Sequence, residues 1–197
     1  MSERQRRNDG APEQQRPRDR TGRPLAYDTS EPFLAEQHDP VSVEHALQLG
    51  RDLWNEHRFF EAHECLEAVW HAAPRHDRDL WQGVIQIAVA QVHRQRGNPA
   101  GSIQLYVRAG QHLAEYPPVW RGIEVAKLRR YAQAAVAALC DETDPPEAPV
   151  FPDTSGGAWF AYTDTQDAPS DSQTPLSNEP RWLSEGLRRT PQRKPTG

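Results

Sequence analysis

Apolar residues recur at helical steps through the middle of the chain. Val43, Leu47, Gly50 and Trp54, with Ala46, Leu49 and Leu53 beside them, follow spacings of three and four, which predicts a first helix from near Val41 to near His57. The second runs from about Phe59 to about Ala72, with Phe59, Ala62, Leu66, Val69 and Trp70 as its apolar stripe. Pro74 stops it, since proline has no amide hydrogen to donate. His63 falls inside that stripe, Phe60 and Glu67 on its shoulder, and Glu64 further round, while Glu61 points toward water. A third helix, from about Asp77 to Arg96, is apolar over most of its circumference, as the central helix of a bundle must be. Gln82, Gln86 and His93 share one narrow side of it. Gly97 closes this helix, and Asn98 and Pro99 open the fourth as N-cap and first helical residue. Tyr116-Pro117-Pro118 ends the fourth, and the fifth runs from about Ile123 to Cys140, rich in alanine toward its end. No strand pattern competes. The expected fold is all-α, a single compact bundle of about five helices over residues 41–140.

Composition changes the picture at the ends. Of 197 residues only 36% are hydrophobic, and 18 are proline, which predicts a compact centre with disordered termini. Residues 1–38 read as a disordered arm in which Leu25 and Tyr27 form an extended apolar strip, and residues 143–197 as a flexible tail rich in Pro, Asp, Ser and Thr. Trp159-Phe160 and Trp182-Leu183 are short apolar spots in that tail. No apolar run approaches the ~20 residues of a membrane helix, and the N-terminus has no signal core. These features predict a cytoplasmic protein without a membrane partner. Cys65 and Cys140 form no CxxC and read as two buried or half-buried thiols in a reducing compartment. A net charge of −5 with mixed signs argues against nucleic acid, and the basic stretches at 4–23 and 181–194 read as solvated tails. A homodimer through the first or last helix is compatible with so small a bundle, and no residue pattern selects it.

The chemistry concentrates on the second and third helices. His63 and Glu67 stand one turn apart on the same face. Antiparallel packing across Pro74 would bring Gln86 and His93 opposite them. The sharpest reading is a divalent metal site with His63, Glu67 and His93 as ligands and Glu64 as general base, a partial likeness to HExxH in which Glu67 replaces the second histidine. The plainer reading, favoured by spacing alone, is a closed polar network in which Glu67 and Gln86 satisfy the His63 ring. A third is metal-free acid–base work by Glu64 or Glu67, their acidity altered beside Phe60 and Trp70. No nucleophile, phosphate loop or oxyanion donor set accompanies these residues. Ser42 and Ser102 sit near helix starts and read as caps, and His57 is a lesser candidate for lining the site.

The segment Phe60-Glu61-Ala62-His63-Glu64, with Glu67 and Trp70, resembles the signature of the domain of unknown function 309 family. Trp81-Gln82-Gly83-Val84-Ile85-Gln86-Ile87-Ala88, with His93 and Arg96-Gly97-Asn98, is similar to its second signature. Arg18-Asp19-Arg20-Thr21-Gly22-Arg23-Pro24-Leu25 resembles the arm that precedes the domain in actinobacterial-type members. The resemblance implies a compact helical bundle and supports this choice of site residues; it implies no particular activity. Two functions from different classes follow. One is a metal-dependent or acid–base hydrolase using His63, Glu64, Glu67, Gln86 and His93. The other is a non-enzymatic helical interaction module in which the same cluster is structural.

Overall fold

A computed structural model describes residues 17–26 and 34–153. Five helices follow in chain order: α1 (Val43–Asn55), α2 (Phe59–Ala72), α3 (Arg75–Gln95), α4 (Pro99–His112) and α5 (Val125–Cys140). Each packs mainly on its neighbour in sequence, so α3 lies between α2 and α4, and α5 rests on α4. Among the described residues there is no strand. Isolated antiparallel bridges join Arg18 to Pro24, Asp19 to Leu34 and Trp120 to Ile123. No described helix is long and apolar enough to cross a membrane.

The helix ends follow local chemistry. Ser42 caps α1, its hydroxyl accepting from the His45 amide at 3.1 Å, and the Asn98 side chain caps α4 by accepting from the Gly101 amide at 3.0 Å. Ser102 is not a cap: its buried hydroxyl donates to the Ala90 carbonyl at 2.8 Å and ties α4 to α3. Helices α1, α3 and α5 end in one motif, with long-reach bonds from Arg58 to Leu53, Asn98 to His93 and Thr143 to Ala138. That motif needs a left-handed residue, supplied by His57 (φ 61°), Gly97 (φ 69°) and Glu142 (φ 56°). His57 is therefore an exposed turn residue near Glu147 at 3.5 Å.

Helix α3 is the core, with Leu80, Val84, Ile87, Ala88 and Ala90 fully buried. Residues 143–153, which composition assigns to the tail, return over α1. Phe151 is buried and meets the Trp54 ring edge-on at 5.4 Å. Trp54 Nε1 donates to the Pro149 carbonyl at 2.9 Å, and Asn55 exchanges two hydrogen bonds with the Phe151 backbone. Tyr27, the apolar spots at 159–160 and 182–183, and the basic stretches 4–16 and 181–194 lie outside the described residues.

Among the described residues two carboxylates are fully buried, and neither belongs to the expected cluster. Asp77 accepts from Trp120 Nε1 at 2.7 Å and Arg121 Nε at 2.9 Å, which pins the α4–α5 loop to the start of α3. Glu61 corrects the expectation that it faces water: it is buried and bound bidentately by Arg58 at 2.6 and 2.8 Å. It also accepts from the Glu36 amide at 2.7 Å. A helical wheel misses this because the cover comes from residues 36–38, a non-helical segment. A third polar group joins Gln91, Tyr131 and Tyr106 inside α3, α4 and α5, where Gln91 Nε2 donates to the Tyr131 hydroxyl, itself 3.2 Å from that of Tyr106. Burial pushes both phenols up from their usual range.

Candidate functional site

The two-residue turn at Ala73 and Pro74 folds α3 back along α2. Arg78 lies over the Trp70 ring at 5.9 Å near this turn. That pair and the bond from Gln95 Nε2 to the His57 carbonyl at 3.1 Å bracket His63 against the stretch of α3 from Ile85 to Val89. His63, Glu67 and Trp70, at steps of four and three, form one stripe along α2.

His63 is buried with 5% of its surface exposed. Burial is the main force holding its pKa down to about 4. The carbonyls of Phe60 and Phe59 favour the charged ring, while Arg96 and Arg18 disfavour it. The imidazole is therefore neutral at ordinary pH. Neither carbonyl reaches Nδ1 in hydrogen-bond geometry, and Nδ1 has no partner. Gln86, 2% exposed, likewise leaves Oε1 without one. The expected mutual satisfaction of His63 and Gln86 is not made. Trp70 is half-buried with its indole N–H unpartnered.

The metal set does not assemble. Among the described residues no three His, Cys, Asp or Glu side chains converge in a way that would hold a metal ion. His63, Glu67 and His93 are therefore not brought to one point. His93 is engaged at the far end of α3, where Asn98 Nδ2 lies 2.9 Å from its Nδ1. A Cβ on Gly101 would come within 2.2 Å of the same atom, so the first turn of α4 packs directly on this ring. Burial and Arg96 lower its pKa as well. Glu64, half-buried on α2, stands next to His63 in sequence without joining such a group. Cys65 is buried, its thiol pushed up to about 12 by burial and then by Glu64 and Glu61, so it is an inert core group. Cys140 is exposed rather than half-buried, and both cysteines are free.

What meets Phe60 and His63 is the chain's own arm. Residues 17–26 form a tight turn around Asp19, whose Oδ1 accepts from Thr21 N, Thr21 Oγ1 and Arg23 N at 2.7–2.9 Å. Burial opposes the charge on Asp19, and these hydrogen bonds outweigh it, holding the carboxyl below its usual range. Gly22, at φ 76°, lies flat on the Phe60 ring; a Cβ there would sit 2.1 Å from two ring carbons. The Phe60 ring meets that of His63 at a tilt of 59° with centroids 4.9 Å apart, and the Arg18 guanidinium lies 5.7 Å from the Phe60 ring centre. Arg96, from the end of α3, donates through Nε and Nη2 to the Thr21 carbonyl. Arg23 Nη2 returns a bond to the Arg96 carbonyl at 2.5 Å. The arm's return, residues 34–35, pairs with its start through a bond from Ala35 N to the Arg18 carbonyl at 2.8 Å. Sequence reasoning singled out Leu25 but missed the turn; Asp-x-Thr-Gly, a side-chain-closed turn ending in glycine, is its signal.

Residues 47–105 match the family described as Domain of unknown function (DUF309). The DUF309 match covers α1 through the first half of α4 and contains every candidate residue from Phe60 to His93, so the family resemblance read from the sequence holds over this stretch. A protein of Aquifex aeolicus (strain VF5), named "Uncharacterized protein", is 27% identical over 128 residues, which cover 58% of this chain and 38% of the relative. The match thus reaches little more than a third of that relative's length. No solved structure matches.

Proposed function

We propose that the chain is a helical interaction module in which the α2–α3 polar cluster is structural and its outer face seats a non-helical segment. The observation that carries this reading is the docking of the arm: Gly22 lies on Phe60 while Arg96 grips the Thr21 carbonyl. A turn held through its backbone carbonyl, with a side-chain-free position against an aromatic ring, is gripped by its main chain. A neutral, buried His63 suits a packing role better than a general base, whose pKa would lie near the working pH. Two free cysteines support a reducing, cytoplasmic setting.

The competing reading is a metal-dependent or acid–base hydrolase centred on His63, Glu64 and Glu67. Elemental analysis of protein purified without chelator, wild type beside His63→Ala, separates the two. The module reading expects no stoichiometric metal in either sample and a His63→Ala protein that melts several degrees lower. Stoichiometric metal in the wild type, lost in His63→Ala without loss of stability, would overturn it.

A further inference from the structure

Residues 147–153 cross the C-terminal half of α1 as a strap, and their contacts fall at every second residue, the period of an extended chain. The Glu147 carboxylate lies 3.5 Å from His57 Nε2. The Pro149 carbonyl accepts from Trp54 Nε1 at 2.9 Å. Asn55 takes both backbone groups of Phe151: its Oδ1 accepts from the Phe151 N–H at 2.7 Å, and its Nδ2 donates to the Phe151 carbonyl at 3.3 Å. The Phe151 ring, 3% exposed, meets Trp54 edge-on. The Asp153 carboxylate accepts from Arg51 Nη1 at 2.8 Å, while Asp52 holds Nε of the same guanidinium at 2.8 Å and so aims it. Between these contacts Val150 stays 71% exposed. Arg51, with Trp54 and Asn55 three and four residues on, forms one face of α1, and His57 stands just past its end.

Each contact selects something different. The Asn55 amide supplies one acceptor and one donor, which matches the main chain of a segment whatever its side chains. Trp54 adds an aromatic wall for a ring. Proline at 149 and 152 costs no bond here, because the seat uses only the carbonyl of Pro149, and it stiffens the segment and lowers the cost of ordering it. Arg51 and His57 stand at the two acidic ends; exposed pairs of this kind set register more than they hold. Within 147–153 only Phe151 is buried. A segment anchored by one ring and by hydrogen bonds at the surface opens locally while the bundle stays folded. We propose that the α1 face of Arg51, Trp54, Asn55 and His57 is a docking site for a partner protein's non-helical segment, one carrying an aromatic residue beside proline between two acids, and that residues 147–153 are its resident competitor. The complementary charge at both ends and the pairing of Asn55 with main chain carry this choice of occupant. The site extends the interaction-module reading to a second face, on a different helix from the arm.

The test titrates the ¹⁵N-labelled full chain with a capped peptide, Glu-Ala-Pro-Val-Phe-Pro-Asp, and follows the Trp54 indole N–H signal. Phe151→Ser releases the strap and frees the face. In that chain the peptide should bind saturably and return the signal toward its wild-type position. Wild type should bind about tenfold more weakly or worse, because the tethered strap competes at an effective concentration of about a millimolar. Adding Asn55→Ala to Phe151→Ser should weaken binding about tenfold, and so should a peptide carrying Phe151→Ala. Where Phe151→Ser does not fold, Glu147→Lys with Asp153→Lys loosens the strap through two exposed residues and should admit the peptide several-fold better than wild type does. A Trp54 signal that the peptide leaves in place, in whichever strap variant folds, overturns the site, and so does equal binding of the Phe151→Ala peptide. Sedimentation of wild type checks the occupant: a monomer supports a partner's segment, and a dimer that Phe151→Ser dissolves overturns it in favour of strap exchange between copies. The two readings fail separately. Absence of peptide binding in a metal-free protein removes only this site, and stoichiometric metal with peptide binding intact removes only the structural role of the α2–α3 cluster.

Discussion

Replacing Gly22 by alanine puts one methyl group where the arm meets α2. The new Cβ would lie 2.1 Å from Phe60 Cδ2 and Cε2, and the residue would keep a φ of 76°. The left-handed backbone alone costs about 1–2 kcal/mol for a residue with a Cβ. The clash is worse, because the Phe60 ring is buried between the turn and His63 and has nowhere to retreat. The least costly escape is for the turn to lift. That gives up the grip of Arg96 on Thr21 and re-exposes a Phe60 ring whose burial contributes about 1.5–3 kcal/mol. The undocked fraction should therefore rise by about 3 kcal/mol, roughly a hundredfold. Trypsin reads that fraction at Arg18 and Arg20; Arg23 precedes Pro24 and resists cleavage. Cleavage that follows the open population should quicken by about that factor while the helices survive. Gly97→Ala is the control: it carries the same backbone strain at φ 69°, yet its Cβ meets nothing. It should cost about 1 kcal/mol and leave arm cleavage alone. Cleavage of Gly22→Ala within about twofold of wild type would refute the docking argument.

Three further outcomes follow from the same geometry. Asp77→Ala strands the Trp120 N–H and the Arg121 guanidinium around a buried position and should cost about 3–5 kcal/mol in urea unfolding, with most of the loss restored in Asp77→Asn only if hydrogen bonding outweighs charge. Glu142→Gly relieves a left-handed residue at the end of α5 and should stabilise by about 1 kcal/mol, seen as a higher Tm. Because His63 is held neutral with a pKa of about 4 against an ordinary 6.5, the unfolded chain takes up its proton first as pH falls. Stability should be intact above pH 6.5 and decline by about 3 kcal/mol toward pH 4, with His93 adding in the same direction, and His63→Gln should flatten the larger part of that slope.

The helices were legible because their signals are local. Apolar steps of three and four, Pro74, Gly97 and the Asn98-Pro99 pair place α1 to α4 within a few residues of where they lie. The pairing of α2 with α3 was legible too, since a two-residue turn leaves antiparallel packing as the available arrangement. The environment of single side chains was not. A helical wheel ranks positions by angle against other helices, and it assigned Glu61 to water. In the fold the cover over that face is an extended segment brought back from 25 residues earlier, with Arg58 supplying the counter-charge one turn away. Asp77 was overlooked for the same reason: its partners, Trp120 and Arg121, lie in a loop more than forty residues on.

The metal reading finds no converging set of ligands among the described residues. It assumed that residues on facing sides of two helices converge. Facing sides fix the level of a residue along the seam, but the neighbours on other elements decide which way its polar atoms are spent. His93 is at the right side of α3, yet α4 begins directly over it, and Asn98 uses its Nδ1. His63 and Gln86 make no hydrogen bond to each other, and each keeps a buried atom unpaired. Two orphaned groups in an otherwise apolar seam cost about 1–3 kcal/mol each, more than a helix pair gains from polar specificity alone. A Leu or Met at either position would avoid that cost, so the polar pair needs a return that packing does not supply. The arm offers one. It closes over the same seam end and sets the Gly22 turn on the Phe60 ring, which in turn meets the His63 ring.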